Sequence, residues 1–139
     1  MFVLYNNCYG GFSISKTARK LYIERKKAQS PDFDEKRYGI YGFCRHDPIL
    51  IEIYNEIGRE MFSDEYSNII MKEIPNKYSK FYIITEYDGL EDVEIDHNKY
   101  LLYRIIEIIN ENELTSDERI IDIKKALTDE SDVRFVATI

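Results

Sequence analysis

The sequence predicts an α+β fold: a small, mostly antiparallel sheet with helices packed on one face, and a helical pair at the C-terminus. Two observations predict that class. The apolar period is close to 3.6 residues over 14–28, 48–58, 101–112 and 116–127, but close to 2 over 2–5, 68–75 and 80–95. Asp88-Gly89, between Tyr87 and Leu90, is the signature of a two-residue hairpin turn, because both central positions of that turn need positive φ. At 139 residues the chain is one domain long and buries roughly two-thirds of its unfolded surface, enough for a core without covalent staples.

Residues 2–5 open the chain as a short strand. Ser13 or Ser15 then offers an N-cap for a helix through about Ala28, with Ile14, Ala18, Leu21, Tyr22 and Ala28 on one side and Lys16, Arg19, Lys20, Lys26 and Lys27 on the other. Pro31 and the acidic residues of "QSPDFDEKRYG", 29–39, break the period and predict a loop. Asp47-Pro48 starts the next helix, the aspartate as cap and the proline at a position whose N–H has no helical partner. Ile49, Leu50, Ile53, Tyr54 and Ile57 form its inward stripe, and Gly58 is suited to end it or its first segment.

From Ser67 the pattern becomes β. "NIIMKEIP", "KFYIITEY" and "LEDVEI" predict three antiparallel neighbours, with the N-terminal strand added to them. After Asp96 the helical period returns, with Leu101, Leu102, Ile105, Ile106 and Ile109 on one face. Thr115 and Glu118 form a capping box for a last helix carrying Ile120, Ile121, Ile123 and Leu127. The final "VRFVATI" is β-prone and apolar, suited to a sheet edge or to pairing with another copy.

Charge is divided unevenly. Residues 1–45 hold nine Lys/Arg against four Asp/Glu, a balance of +5, whereas the remainder is strongly acidic and brings the chain to −7. That balance argues against general nucleic-acid binding, which relies on clustered Lys/Arg to neutralise phosphates. No apolar run reaches the length of a membrane helix, and "MFVLYNN" lacks the basic start of a secretory signal, so a cytoplasmic protein with no membrane association is expected. Cys8 and Cys44 are then expected as free thiols, and with only His46 and His97 beside them no metal or other cofactor is expected.

Three segments carry the candidate chemistry. In Cys8-Tyr9-Gly10-Gly11-Phe12 a glycine pair lies between strand and helix, where converging N–H groups bind anions and Lys16 adds charge one turn in. Neither GxxxxGK[ST] nor GxGxxG is present, so the competing reading is a tight corner packed by Tyr9 and Phe12. In Arg45-His46-Asp47, Arg45 is suited to a carboxylate or phosphate ligand or to a neighbouring Glu. His46 is the local base available to a Cys8 nucleophile, the enzymatic alternative, in which Asp47 would orient the histidine and the substrate would be nucleotide-like or an acyl group. Tyr87-Asp88-Gly89 offers too few oxygens for calcium and reads as turn chemistry. Twelve tyrosines in one short chain predict that some line a groove or an interface, with Tyr5, Tyr9, Tyr22, Tyr38, Tyr41, Tyr82 and Tyr87 grouped around the turn and sheet; the competing reading is a tyrosine-rich core.

Together "NNCYGGFSIS", "RHDPILIEIYNEIG" and "KEIPNKY…YIITEYDGLEDVE" resemble, in order and spacing, a family of small uncharacterised proteins of tailed bacteriophages and large DNA viruses. Ile14 stands where the family pattern has leucine, and residues 23–43 are longer than in the phage forms. The resemblance covers about 3–95 and leaves 96–139 as a C-terminal helical extension of a single domain, 1–139. It implies a viral accessory protein, of a giant virus by its AT-rich composition, in the host cytoplasm or a virus factory or packaged in the virion. It carries no known activity and so assigns no residue a role. The functional expectation is a non-enzymatic, self-associating protein that binds a host or viral protein or a small anionic ligand, through Cys8, Tyr9, Gly10, Gly11, Lys16, Arg45, His46 and Tyr87.

Overall fold

The computed structural model describes residues 1–35, 42–111 and 114–129. In chain order the elements are β1 (Phe2–Asn6), α1 (Lys16–Gln29), α2 (Pro48–Phe62), β2 (Ile69–Glu73), a 3-10 turn (Asn76–Tyr78), β3 (Tyr82–Tyr87), β4 (Leu90–Ile95), α3 (His97–Asn110) and α4 (Ser116–Asp129). The fold is α+β with a C-terminal helical pair, as its sequence predicts. The final "VRFVATI" and part of the 29–39 loop lie outside the described residues.

The strand pairing differs from expectation. Among the described residues there are two separate two-stranded sheets, β1 with β2 and β3 with β4, instead of one sheet of four. β1 and β2 run antiparallel with Phe2 opposite Glu73 and Asn6 opposite Ile69. The other edge of β1 is engaged elsewhere: Leu4 N–H donates to Arg45 O at 2.8 Å and Asn6 N–H to the Glu91 carboxylate at 2.8 Å. A side chain thus takes the place that a neighbouring strand would have filled.

The chain divides into two compact units, Met1–Ser79 with Ile83–Glu94, and Lys80–Tyr82 with Ile95–Ile139. In the first, α1 and α2 pack together around Leu4, Ile14, Ala18, Tyr22, Ile49, Leu50, Ile53, Phe62 and Ile69. Ser15 caps α1, its hydroxyl accepting from Ala18 N–H at 3.1 Å. Gly58 ends the first segment of α2: with φ 76° and ψ 163° it breaks the helical path, which resumes as far as Phe62. The basic side of α1 is largely paired: Lys27 meets Glu35, Arg25 meets Glu52 and Glu56, and Lys26 turns inward onto Asp47. Lys26 therefore leaves the outer face to which helical spacing alone assigns it, because a buried carboxylate one helix away needs a counter-charge.

In the second unit Asp96 caps α3, Oδ1 accepting from Lys99 N–H at 2.9 Å, and Thr115 with Glu118 forms the reciprocal capping box of α4 at 3.3 and 2.8 Å. Phe81 lies edge-on to Tyr100 at 5.4 Å between ring centroids, and tilted against Tyr103 at 5.2 Å. The apolar stripe predicted for α3 is split. Leu101 and Ile108 are buried, whereas Leu102, Ile106 and Ile109 face outward. Among the described residues no helix is long and apolar enough to cross a membrane.

Candidate functional site: a polar knot that displays tyrosines

The three motifs meet in the first unit, around Asn6 at the start of "NNCYGGFSIS". Asn6 ends β1 with no solvent exposure. Its N–H donates to Glu91 Oε2 at 2.8 Å, and its amide nitrogen donates to Cys8 O at 2.6 Å and Gly89 O at 2.7 Å. Its amide oxygen accepts from Asn68 N–H at 2.8 Å and lies 3.3 Å from Cys8 Sγ. One buried side chain thereby ties the start of the glycine turn to the hairpin tip and to the approach of β2. Its side-chain nitrogen and oxygen and its N–H all find partners, which a buried amide requires.

Glu91 is the second centre, 8% exposed on the inward side of β4. Arg45 holds it by two parallel bonds, Nη1 to Oε2 at 3.0 Å and Nη2 to Oε1 at 2.8 Å, the bidentate geometry that suits guanidinium to carboxylate. The Arg45 guanidinium also stacks on Phe12 of the glycine turn, 3.3 Å from the ring centroid. Of the two partners considered for Arg45, the structure supplies an internal glutamate.

The glycines have distinct reasons. Gly11 has φ +81°, and Gly10 is needed for space, since a Cβ there would lie 1.4 Å from the Tyr66 carbonyl oxygen. At the hairpin, Asp88 and Gly89 have φ 51° and 86°, as the turn requires, and a Cβ on Gly89 would come within 2.5 Å of Tyr9 O and 2.6 Å of Gly11 N. Backbone touches backbone at both places. The turn is a corner pressed against two other segments.

Cys8 Sγ faces Asn6 Oδ1 and Tyr66 O, at 3.3 and 3.4 Å. His46 lies beside Cys44 instead, its ring nitrogens 3.5 and 3.6 Å from that thiol, on the exposed stretch before α2. Asp47 serves as the N-cap of α2. Its carboxylate accepts from Ile49 N–H and from the Tyr22 hydroxyl, both at 2.9 Å, and pairs with Lys26. Both thiols are free. Lys16 lies apart from the knot, in a shallow cleft of about 370 Å³ with Arg19, Lys20 and Glu24. Among the described residues no group of three or more His, Cys, Asp or Glu is placed to hold a metal ion.

What the knot presents outward is aromatic and acidic. Tyr9, Tyr66 and Tyr87 are 67%, 72% and 78% exposed and rise from the segments that touch at Gly10 and Gly89. Beside Tyr87 runs an open cleft of about 510 Å³, lined by Tyr5, Asn7, Thr85, Glu86, Leu90, Glu91 and Asp92. The Asp92 carboxyl is held below its usual 3.8, chiefly by Val93 N–H and also by Lys72, so it stays charged well into the acid range. Elsewhere Tyr22 and Tyr78 belong to the core, and Tyr38 and Tyr41 lie outside the described residues.

Asn6, Tyr66 and Glu91 are absent from the candidate site residues, although Asn6 opens "NNCYGGFSIS" and Glu91 lies within "YIITEYDGLEDVE". Two of them carried a signal. Glu91 shares a strand face with Val93, and Asn6 ends an otherwise apolar strand; a polar residue on an inward position asks for a partner. The chain matches no protein-family model, no curated protein and no solved structure.

Proposed function

We infer that this chain is a viral accessory protein that works by binding, not by catalysis, and that its principal partner is a protein segment carrying exposed cations. The observation behind this reading is the engagement of Arg45 by Glu91, beside a cleft whose other charged lining residues, Glu86 and Asp92, are acidic. An anion there would meet carboxylates, whereas a Lys or Arg side chain would find them together with tyrosine rings to stack on. The rigid backing favours recognition, since a partner then orders few groups on this side of the contact. Self-association belongs to the same reading, supported by the outward apolar residues of α3. The viral setting, with its host-cytoplasmic, virus-factory or virion location, rests on the resemblance of the three motifs alone.

Fluorescence anisotropy with a labelled peptide alternating arginine and leucine, against the same peptide with glutamate for arginine, tests the partner. The expected result is salt-sensitive binding of the cationic peptide alone, weakened several-fold by Tyr87→Ala with no change in melting temperature. Preference for the acidic peptide, or thermal stabilisation by nucleotides or inorganic phosphate that Arg45→Ala or Lys16→Ala removes, would overturn it in favour of the anionic ligand. Rapid alkylation of Cys8 near neutral pH would instead favour the thiol enzyme.

A further inference from the structure

The two thiols of the first unit sit in opposite surroundings. Cys8 Sγ faces two oxygen acceptors, Asn6 Oδ1 at 3.3 Å and Tyr66 O at 3.4 Å, so its S–H is occupied as a donor. Cys44 is exposed and lies against an imidazole, with the two ring nitrogens of His46 at 3.5 and 3.6 Å from Sγ. In a neutral imidazole one nitrogen carries the proton and the other accepts. Because both nitrogens are within reach of the sulfur, a proton acceptor stands beside Cys44 in either tautomer. Imidazole takes up and returns protons near neutral pH, so the pair holds the two parts of an activated thiol, a nucleophile and its base.

The scaffold holds this pair in place. Asp47 N–H donates to Cys44 O at 3.0 Å and closes a turn over residues 44–47. Its other two members are pinned to the fold: Arg45 O accepts from Leu4 N–H and the Arg45 guanidinium grips Glu91, while Asp47 caps α2 and meets Lys26. Cys44 and His46 are left exposed side by side. His46 also lines an open cavity of about 450 Å³ with Met1, Phe2, Pro48 and Ile51, which leaves room next to the imidazole for a group carried on the sulfur. We propose that Cys44 is a site of reversible covalent modification, by thiol–disulfide exchange with a low-molecular-weight disulfide, and that His46 is its proton acceptor. The imidazole takes the S–H proton as Cys44 Sγ attacks one sulfur of the disulfide; the new S–S bond forms as the old one breaks, and the leaving thiolate takes the proton back from His46. Cys44 is thereby oxidised to a mixed disulfide and the other half of the reagent is reduced to a thiol. Such exchange asks for a nucleophile, a base and open access, and this turn supplies all three.

Oxidised glutathione tests this on the full chain, with intact mass followed over time and peptide mapping to place the adduct. The expected product carries glutathione on Cys44, is reversed by dithiothreitol, and forms at least about tenfold faster than any adduct on Cys8. His46→Ala and His46→Gln, each folded by circular dichroism, are expected to slow the Cys44 reaction roughly tenfold, whereas Cys8→Ser leaves its rate as it was. An adduct that appears first on Cys8, or a Cys44 that reacts no faster than the cysteine of a short unstructured peptide, overturns the site. A Cys44 rate untouched by both His46 variants overturns the role of the imidazole and leaves exposure alone as the cause.

Discussion

The two units use opposite arrangements of their unusual residues. Around Asn6 and Glu91 the unusual residues are polar and buried, and each is answered within the same unit by Arg45, Gly89, Cys8 or Asn68. Along α3 and α4 they are apolar and exposed, with Leu102, Ile106 and Ile109 about half open to solvent. A buried amide or carboxylate without partners costs far more than an exposed isoleucine, so the first arrangement must be completed within the fold while the second is free to be completed by another molecule. Conspicuous sequence motifs mark the first region, and a plain amphipathic helix marks the second. The motif-rich region therefore backs its exposed tyrosines with a closed polar scaffold, whereas α3 leaves part of its apolar surface outward.

The contrast is broken most severely at its polar centre. Glu91→Ala leaves Arg45 and the Asn6 N–H without their carboxylate and is expected to cost about 3–5 kcal/mol in urea unfolding, the range for removing one partner of a buried ion pair. Asn6→Ala strips Gly89 O, Cys8 O and Asn68 N–H of their partner and should cost about 1–3 kcal/mol or more, read the same way. Gly10→Ala forces a methyl against the Tyr66 carbonyl and belongs in a similar range, about 1–3 kcal/mol. By contrast Ile106→Ser, measured at concentrations where the chain is monomeric, should change stability by no more than about 0.5 kcal/mol.

Acid gives the mildest test. Asp64 and Glu118 both have their carboxyls held below the ordinary values, Asp64 first by Glu65 N–H and then by Ser13, Glu118 by the hydroxyl and N–H of Thr115. A depressed folded pKa means stability that is complete above the ordinary carboxylate range and lost as pH falls through the folded value. Thermal melts from pH 6 downward should therefore be level to about pH 4.5 and decline below it. A rise in melting temperature on acidification would contradict these hydrogen bonds.

Legibility followed the range of the interactions. Ser15, Asp47, Asp96 and Thr115 act as caps, and Asp88-Gly89 forms its turn, because each involves neighbours within a few residues that the sequence sets side by side. The hairpin of β3 with β4 was legible from Asp88-Gly89, but its separation from the β1–β2 sheet was not, since Glu91 reaches the edge of β1 from 85 residues away. For the same reason Arg45 was readable as a residue that wants a carboxylate, but not as one that already holds Glu91. The α3 stripe misled in a different way. Helical spacing shows that Leu102, Ile106 and Ile109 share a side, and only the packing reveals that the buried side is the one carrying Leu101 and Ile108.

The most direct test is a double-mutant cycle on Arg45 and Glu91 by urea unfolding, with Tyr87→Ala as control. If the motifs close upon one another, Arg45→Ala and Glu91→Ala each destabilise by several kcal/mol, the double variant loses less than their sum by about 1–3 kcal/mol, and Tyr87→Ala stays within about 0.5 kcal/mol of the parent. Near-neutral, additive losses at Arg45 and Glu91 would contradict it, because two side chains that cost the fold nothing to remove would be held there for a ligand.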